Sequence, residues 1–323
     1  MIGPTLDAII AARAQLQADL IETPILPLTS ARWDGVLPDC AGVTVKLELF
    51  QQVGSFKARG AMLGMRGLTD QQRTAGVVAA SGGNHALAVS WAAKAAGVDA
   101  LITMPKATDP ARIAGCEALG ATVQLYDDMA AAFVAMNDAA DKGRVLMHPF
   151  EAAHMILGSA TCGYEYATQT PKIDTYVIPI GGGGMISGMA CAIKQMNPEA
   201  QVLGVEPFGA DSMTQSFAAG RAVPIGKVAT IADSLGAPLA MPLTYDVARA
   251  HVDRIVRITD HDMLAAMDIY QQNLRITAEP ACAASLAAIL GPLKNDLKGR
   301  QVGIIACGSN ISLERYAQLM AAL

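Results

Sequence analysis

Lys57 stands in "GSFKARGA" (residues 54–61), where the run of residue types predicts the opening of a helix. Gly54 allows a turn, Ser55 reads as an N-cap, and Phe56 to Arg66 is rich in helix formers. A helix N-terminus is the positive pole of its dipole, so a cation gains nothing there. A lysine whose tip swings out to water loses only roughly 0.3 kcal/mol. One held in that field has a lowered pKa, and its free amine is a better nucleophile. Arg59 is either an outward ion-pair partner or part of the same site. Two further stretches have the form of anion-binding loops. "SGGNHA" (81–86) and "IPIGGGGMISG" (178–188) each follow a strand pattern and open a helix pattern, which aims backbone amides at a ligand. Ser81, Gly82, Gly83, Asn84 and His85 form either a plain turn with an Asn cap or a polar substrate loop. Gly181, Gly182, Gly183 and Gly184 are consecutive, a large entropic cost for a mere connection. Such a loop lets a phosphate reach several amides at once.

The elements that must position these residues alternate along the chain. "VTVKLEL" (43–49), "GVVAAS" (76–81), "ALITMP" (100–105) and "ATVQLYD" (121–127) read as strands, as do "TYVIPI" (175–180), "QVLGVEP" (201–207) and "QVGIIACGSN" (301–310). Between them lie helical patterns such as "HALAVSWAAKAAG" (85–97), closed by a glycine. Buried strands joined by helices predict an α/β fold with mostly parallel sheets. The strands from 76 to 127 form one self-contained cluster, and the later ones a second sheet. Two lobes with a cleft between them follow. The expected division is a large cofactor-binding domain of residues 1–70 and 148–323 and a small substrate-loop domain of 71–147.

Composition sets the outer limits. The 323 residues are 52% hydrophobic and only 16% charged, which suits a large core and excludes disorder. A net charge of −5 without blocks of like charge gives no footing for nucleic acid. The N-terminal stretch lacks a cationic start and a continuous apolar run, so neither secretion nor membrane spanning is expected. Six cysteines are scattered without a CxxC pair, the pattern of free thiols in a reducing cytoplasm. There is no HExxH and no zinc-spaced cluster.

The phosphate ligand can be narrowed. A dinucleotide site is the rival, with Glu206 at the end of the next strand as its ribose-binding acid. The GxGxxG spacing fails, however, and so does a P-loop, because Val228 follows "GK" (226–227) where a hydroxyl is needed. A phosphate cup with a nucleophilic lysine elsewhere suits pyridoxal phosphate, which needs a Schiff-base lysine, a phosphate nest and a partner for its ring nitrogen.

On these motifs the chain resembles the fold-type-II pyridoxal-phosphate enzymes (tryptophan synthase β-like), most closely the threonine/serine dehydratase and serine racemase family. "GSFKARGA" looks like the family's lysine motif, which implies Lys57 as Schiff-base residue and Phe56 beside the cofactor. "SGGNHA" resembles the loop for the substrate carboxylate, with Asn84 also near the cofactor's 3′ oxygen. "GGGGM" resembles the phosphate cup, Gly181 to Met185. "EPACAASLAA" (279–288) and "CGSN" (307–310) imply Glu279 near the ring and Cys307 as neutral partner of its nitrogen. "HPF" (148–150) and "TIADSLG" (230–236) are similar to family segments too, and the match runs in order from about residue 22 to the C-terminus.

The departures are informative. Cys282 stands where glycine or serine is usual, and Cys307 where serine is frequent. A neutral partner leaves the ring nitrogen unprotonated, which favours expelling a β-leaving group over a long-lived carbanion. Some relatives bind a divalent cation; Glu206 and the Ala210 carbonyl match two of its ligands, but Ser212 replaces the aspartate, which weakens such a site. In the family's racemases a serine before the Gly-Asn pair reprotonates the second face, and here Gly82 has no proton to give. The resemblance therefore implies a homodimeric, cytoplasmic lyase that deaminates L-threonine and/or L-serine to a 2-oxo acid and ammonia. A serine racemase or 3-hydroxyaspartate dehydratase is the alternative. A cysteine-synthase-type β-replacement fits less well, since those enzymes carry Lys-Asp-Arg at the lysine motif, and a nicotinamide oxidoreductase is the rival of another class.

Overall fold

The computed structural model describes residues 2–323. Its strands are β1 (Ile25–Pro27), β2 (Gly42–Lys46), β3 (Val77–Ala80), β4 (Ala100–Pro105), β5 (Thr122–Tyr126), β6 (Val145–Leu146), β7 (Thr175–Pro179), β8 (Gln201–Pro207), β9 (Arg254–Ile258) and β10 (Gln301–Ile305). They form a six-stranded sheet of order β1-β2-β10-β7-β8-β9 and a four-stranded sheet of order β5-β4-β3-β6. All neighbours run parallel except β1 and β2. This is the α/β architecture that the alternation predicts. Among the described residues no helix is long and apolar enough to cross a membrane.

Burial follows sheet position. Every residue of β3 and β7 is buried, whereas edge strand β5 is exposed or half-buried throughout. Each sheet has its own core. That of the large lobe joins Val45, Val177 and Ile304 to Leu286 of helix Pro280–Leu290. The small-lobe core joins Val77, Ile102 and Val89, and also takes in Ala61, Met62 and Met65 of helix Lys57–Arg66. The lysine helix is thus buried against the small lobe although its entry is tied to the large one. Phe56 N donates to Cys307 O at 3.2 Å, and Ser55 forms an antiparallel bridge with Gly308.

That bridge corrects one expectation. Ser55 is extended (φ −163°, ψ 156°) and does not cap the helix; Phe56 occupies the cap position without a side-chain hydrogen bond. Gly308, in the segment that follows β10, recruits the serine backbone, and the Ser55 hydroxyl is left buried and unpartnered among the described residues.

Helix Ala153–Gln169 fixes the distance between the lysine and the glycine loop. A Cβ on Gly158 would run into the Gly60 backbone of the lysine helix. Along the same helix, a Cβ on Gly163 would lie 2.6 Å from Met189 O of helix Gly184–Met196. Close backbone approach on both sides needs glycine at these crossings.

Candidate active site

Lys57 Nζ donates to the Pro149 carbonyl at 2.5 Å and lies 5.1 Å from the centre of the Phe56 ring. Its pKa is lowered to about 8 by burial, with the Cys307 thiol pulling weakly the other way. The lysine is therefore the poised amine that its position suggests, but desolvation is the cause. The Cys307 thiol donates to Ala281 O at 3.6 Å. Burial pushes its pKa far up, reinforced by Cys282 and Glu279, so it stays neutral. The Ser55–Gly308 bridge brings these two groups to one place.

The loop after β7 opens helix Gly184–Met196, whose first amides have no intrahelical acceptor. Gly183 has φ +88°, a conformation that favours glycine. The other glycines answer to the protein's own packing. A Cβ on Gly181 would lie 2.7 Å from Ser234 O, and one on Gly182 would overlap the Phe150 ring. Valine at Gly182 is thus expected to drive Phe150 out of place and weaken pyridoxal phosphate binding by about 100-fold or more. Titration of the variant by cofactor absorbance checks this, and unchanged affinity would reduce the loop to a turn.

On the facing side, Asn84 is buried at the start of helix Asn84–Ala96. Its Nδ2 donates to Glu279 Oε1 at 2.6 Å, and its Oδ1 accepts from Asn310 Nδ2 at 2.6 Å. Burial raises the Glu279 pKa, with Arg112 and Asn84 opposing. The second Glu279 oxygen has no hydrogen-bond partner among the described residues. Ser81 Oγ accepts from Gly83 N at 3.1 Å, so the hydroxyl shapes its own loop. His85 is buried and donates from Nε2 to Met147 O at 2.8 Å. A Cβ on Gly82 would lie 2.6 Å from Thr108 Oγ1, so threonine fills the space that a serine side chain would need.

Aromatic rings border the Pro149 segment. His148 meets Phe150 edge-on at 4.7 Å between centroids and lies 6.2 Å from Phe133. Its Nδ1 accepts from the amides of Phe150 and Glu151, which leaves the proton on Nε2. Burial, and the Lys57 charge in the case of His148, bring His148 and His154 down to about 4, and both are neutral at pH 7.

The metal ligands suggested by sequence do not fit a cation. The Glu206 carboxylate accepts from Met213 N at 2.9 Å, Thr214 N at 2.8 Å and Thr214 Oγ1 at 2.6 Å, capping helix Ser212–Ala219. Burial raises its pKa to about 7, against the pull of those donors. Among the described residues no group of three or more His, Cys, Asp or Glu side chains could hold an ion, and Asp211 nearby is paired with Arg257 at 2.9 Å. Chelation with EDTA is expected to change turnover by less than about twofold. A large loss restored by magnesium or calcium would contradict this.

Several residues escaped the sequence. Arg112 sits in no motif, and Asn310 and Ser234 lie in the "CGSN" and "TIADSLG" segments without having been singled out; all three bind the loop residues. Arg59 lies inward, 2% exposed, among Lys46, Glu48 and Glu165. The signal was the pair of charged residues in the apolar run "VTVKLEL": Lys46 ends β2 and Glu48 begins the turn after it, and both are fully buried.

The residues present fit pyridoxal phosphate. A desolvated amine, amides at a helix start, a neutral thiol and an unpartnered carboxylate oxygen are the kinds of group that its attachment, its phosphate and its ring would need. Comparison with known proteins agrees. The profile of the family described as "Pyridoxal-phosphate dependent enzyme" matches residues 17–308. The chain is 41% identical to phenylserine dehydratase of Ralstonia pickettii, across 98% of this chain and 96% of that one. It is 35% identical to L-threonine ammonia-lyase of Thermotoga maritima, across 90% and 73%. The structure of maize serine racemase superposes with a TM-score of 0.91 at 34% identity, covering 99% of this chain and 98% of that one.

Proposed function

Because the chain belongs to the pyridoxal-phosphate dependent enzymes, we propose that it dehydrates and deaminates an L-3-hydroxy amino acid, L-threonine and/or L-serine among them, to a 2-oxo acid and ammonia. The observation that carries this is the pairing of Lys57, with a pKa near 8, with the neutral thiol of Cys307. Bound here, pyridoxal phosphate supplies the electron sink that acidifies the α-proton and lets the β-hydroxyl depart. Lys57 Nζ takes the α-proton, and the helix amides after Gly183 hold the phosphate. The 81–84 loop holds the substrate carboxylate, with Asn84 fixed by Glu279 and Asn310. The β-hydroxyl would leave as water with the proton that Lys57 Nζ took from Cα, and the released enamine would hydrolyse to oxo acid and ammonia.

A second reading of the substrate is favoured by the aromatic border. Phe133, His148 and Phe150 put apolar surface beside the Pro149 segment that holds Lys57 Nζ, and one similar protein is named for phenylserine. 3-Hydroxyaspartate is the alternative substrate, since several similar proteins are named for it. A panel of 3-hydroxy amino acids, scored for ammonia and 2-oxo acid, separates these. Threonine is expected to exceed serine in kcat/KM by about tenfold or more, as one buried methyl allows. 3-Phenylserine is expected to match or exceed threonine. A preference for 3-hydroxyaspartate would overturn the substrate assignment, and release of no oxo acid from any of them would overturn the function.

Racemisation is expected to be slower than elimination by about 100-fold, because a second positioned acid is missing at Gly82. L-serine in deuterated water, followed by chiral chromatography alongside pyruvate, checks this; D-serine formed as fast as pyruvate would contradict it. Gain of racemase activity should need Gly82→Ser together with Thr108→Ala, since Thr108 Oγ1 stands 2.6 Å from the added Cβ.

A further inference from the structure

Arg112 lies in the first turn of helix Pro110–Ala118 and has none of the roles assigned above. Its Nε and Nη2 both donate to the Asn310 carbonyl, at 2.9 and 2.7 Å, while Nη1 donates to the Gly82 carbonyl at 3.2 Å. The carboxylates of Asp233 and Glu279 stand farther off, at 3.5 and 3.8 Å. Carboxylates are the stronger partners of a guanidinium, yet the three shortest bonds go to two backbone carbonyls and Asp233 receives only a long one from Nη1, so the fork is holding backbone in place. At 13% exposure it is no surface ornament. Gly82 belongs to the small-lobe substrate loop, and Asn310 follows Cys307 in the large lobe.

Neighbouring contacts grip the same segment. Asn310 Nδ2 donates to Asn84 Oδ1 at 2.6 Å and to Val53 O at 2.7 Å. At the start of the Arg112 helix, burial pushes the Asp109 carboxyl up, but hydrogen bonds from Ser312 and the Ala111 amide hold it below its usual range. Residues 307–312 therefore meet the small lobe at Asn84, Asp109 and Arg112.

We propose that Arg112 is a positioning residue for the substrate-carboxylate loop: its guanidinium ties the Gly82 carbonyl to the Asn310 carbonyl and so sets the loop against the cofactor site. The role rests on the dehydratase function proposed above. Gly83 follows Gly82 directly, and its amide is fixed by Ser81 Oγ. Arg112 from outside and Ser81 from inside thus orient a single peptide plane. Loss of the outer hold frees the loop without removing a group that touches cofactor or substrate.

The test has two independent arms. In the cofactor-free protein, Arg112→Ala is expected to speed amide hydrogen exchange of residues 82–86 by about tenfold or more, leaving the six-stranded sheet protected. In the loaded enzyme the same change is expected to raise KM for threonine by about 10- to 100-fold, with cofactor affinity held within about threefold. Arg112→Lys, which can bond one carbonyl but cannot fork, should recover part of the KM and also serves if the alanine variant folds poorly. Unchanged exchange with unchanged KM would overturn the proposal, as would loss of cofactor binding in proportion to activity. If the wild-type enzyme turns over no 3-hydroxy amino acid, the proposed function fails, and the exchange arm still decides the role of Arg112.

Discussion

Lys57→Ala is expected to lower kcat by at least about 1,000-fold, because it removes both the attachment point and the base in one step. The fold should survive. The amine makes one hydrogen bond, to Pro149 O, and burial disfavours its charge. The loaded variant should lose the visible absorbance of lysine-bound cofactor and keep the wild-type circular dichroism and melting behaviour. Retention of more than about a tenth of the activity would place the base elsewhere. The wild-type protein adds a pH test. With the amine pKa near 8, only the deprotonated fraction attacks the cofactor aldehyde. Cofactor uptake by the apoprotein should therefore accelerate as pH rises towards 8 and level off above it, about two units below an ordinary lysine.

Arg59→Met should have the largest effect on stability, a loss of about 3–5 kcal/mol in urea unfolding of the cofactor-free protein. Arg59 donates to both Glu48 oxygens at 2.8 and 2.7 Å and to both Glu165 oxygens at 3.2 and 3.0 Å. Without it, two buried carboxylates keep only Lys46, bonded to Glu165 at 2.6 Å, and the half-buried Arg13, 3.8 Å from Glu165. Because Arg59 sits two residues beyond Lys57, the loosened helix should reduce turnover as well. Burial raises the Glu165 pKa, but Arg59 and Lys46 outweigh it and bring the carboxyl below its usual range. That contribution is in full force above the unfolded pKa of about 4.3 and is lost as pH falls through the lower folded value. A cost under about 1 kcal/mol would mean that water reaches the cluster.

The parts of the site that lie in short stretches were legible in the sequence. Lys57 opens a helix, Asn84 and the 181–184 glycines lie just after strands, and the parallel sheets follow from apolar runs separated by helices. What escaped depends on residues far apart in the chain. Arg59 reads as ambiguous because its partner Glu165 lies more than a hundred positions away. Ser55 reads as a cap because the sequence does not reveal that Gly308 will claim its backbone. Gly182 looks like clearance for a ligand, but its nearest obstacle is Phe150. The unread strands are β1, β6 and β9. β6 has only two residues, and edge strand β9 carries Arg254 and Arg257 to the surface, which blurs the apolar run. Glu206 reads as a cation ligand because a carboxylate at a strand end has the right chemistry. Its capping of the next helix was within reach, since Met213 and Thr214 lie only seven and eight residues on.

The central claim is that Lys57 binds pyridoxal phosphate at this site. The direct measurement is borohydride reduction of the cofactor-loaded protein, followed by peptide mass mapping. The expected result is a single phosphopyridoxyl group on the peptide containing Lys57, formed as the visible band disappears. A label on another lysine, or a visible band that resists reduction and leaves Lys57 unmodified, would contradict the account.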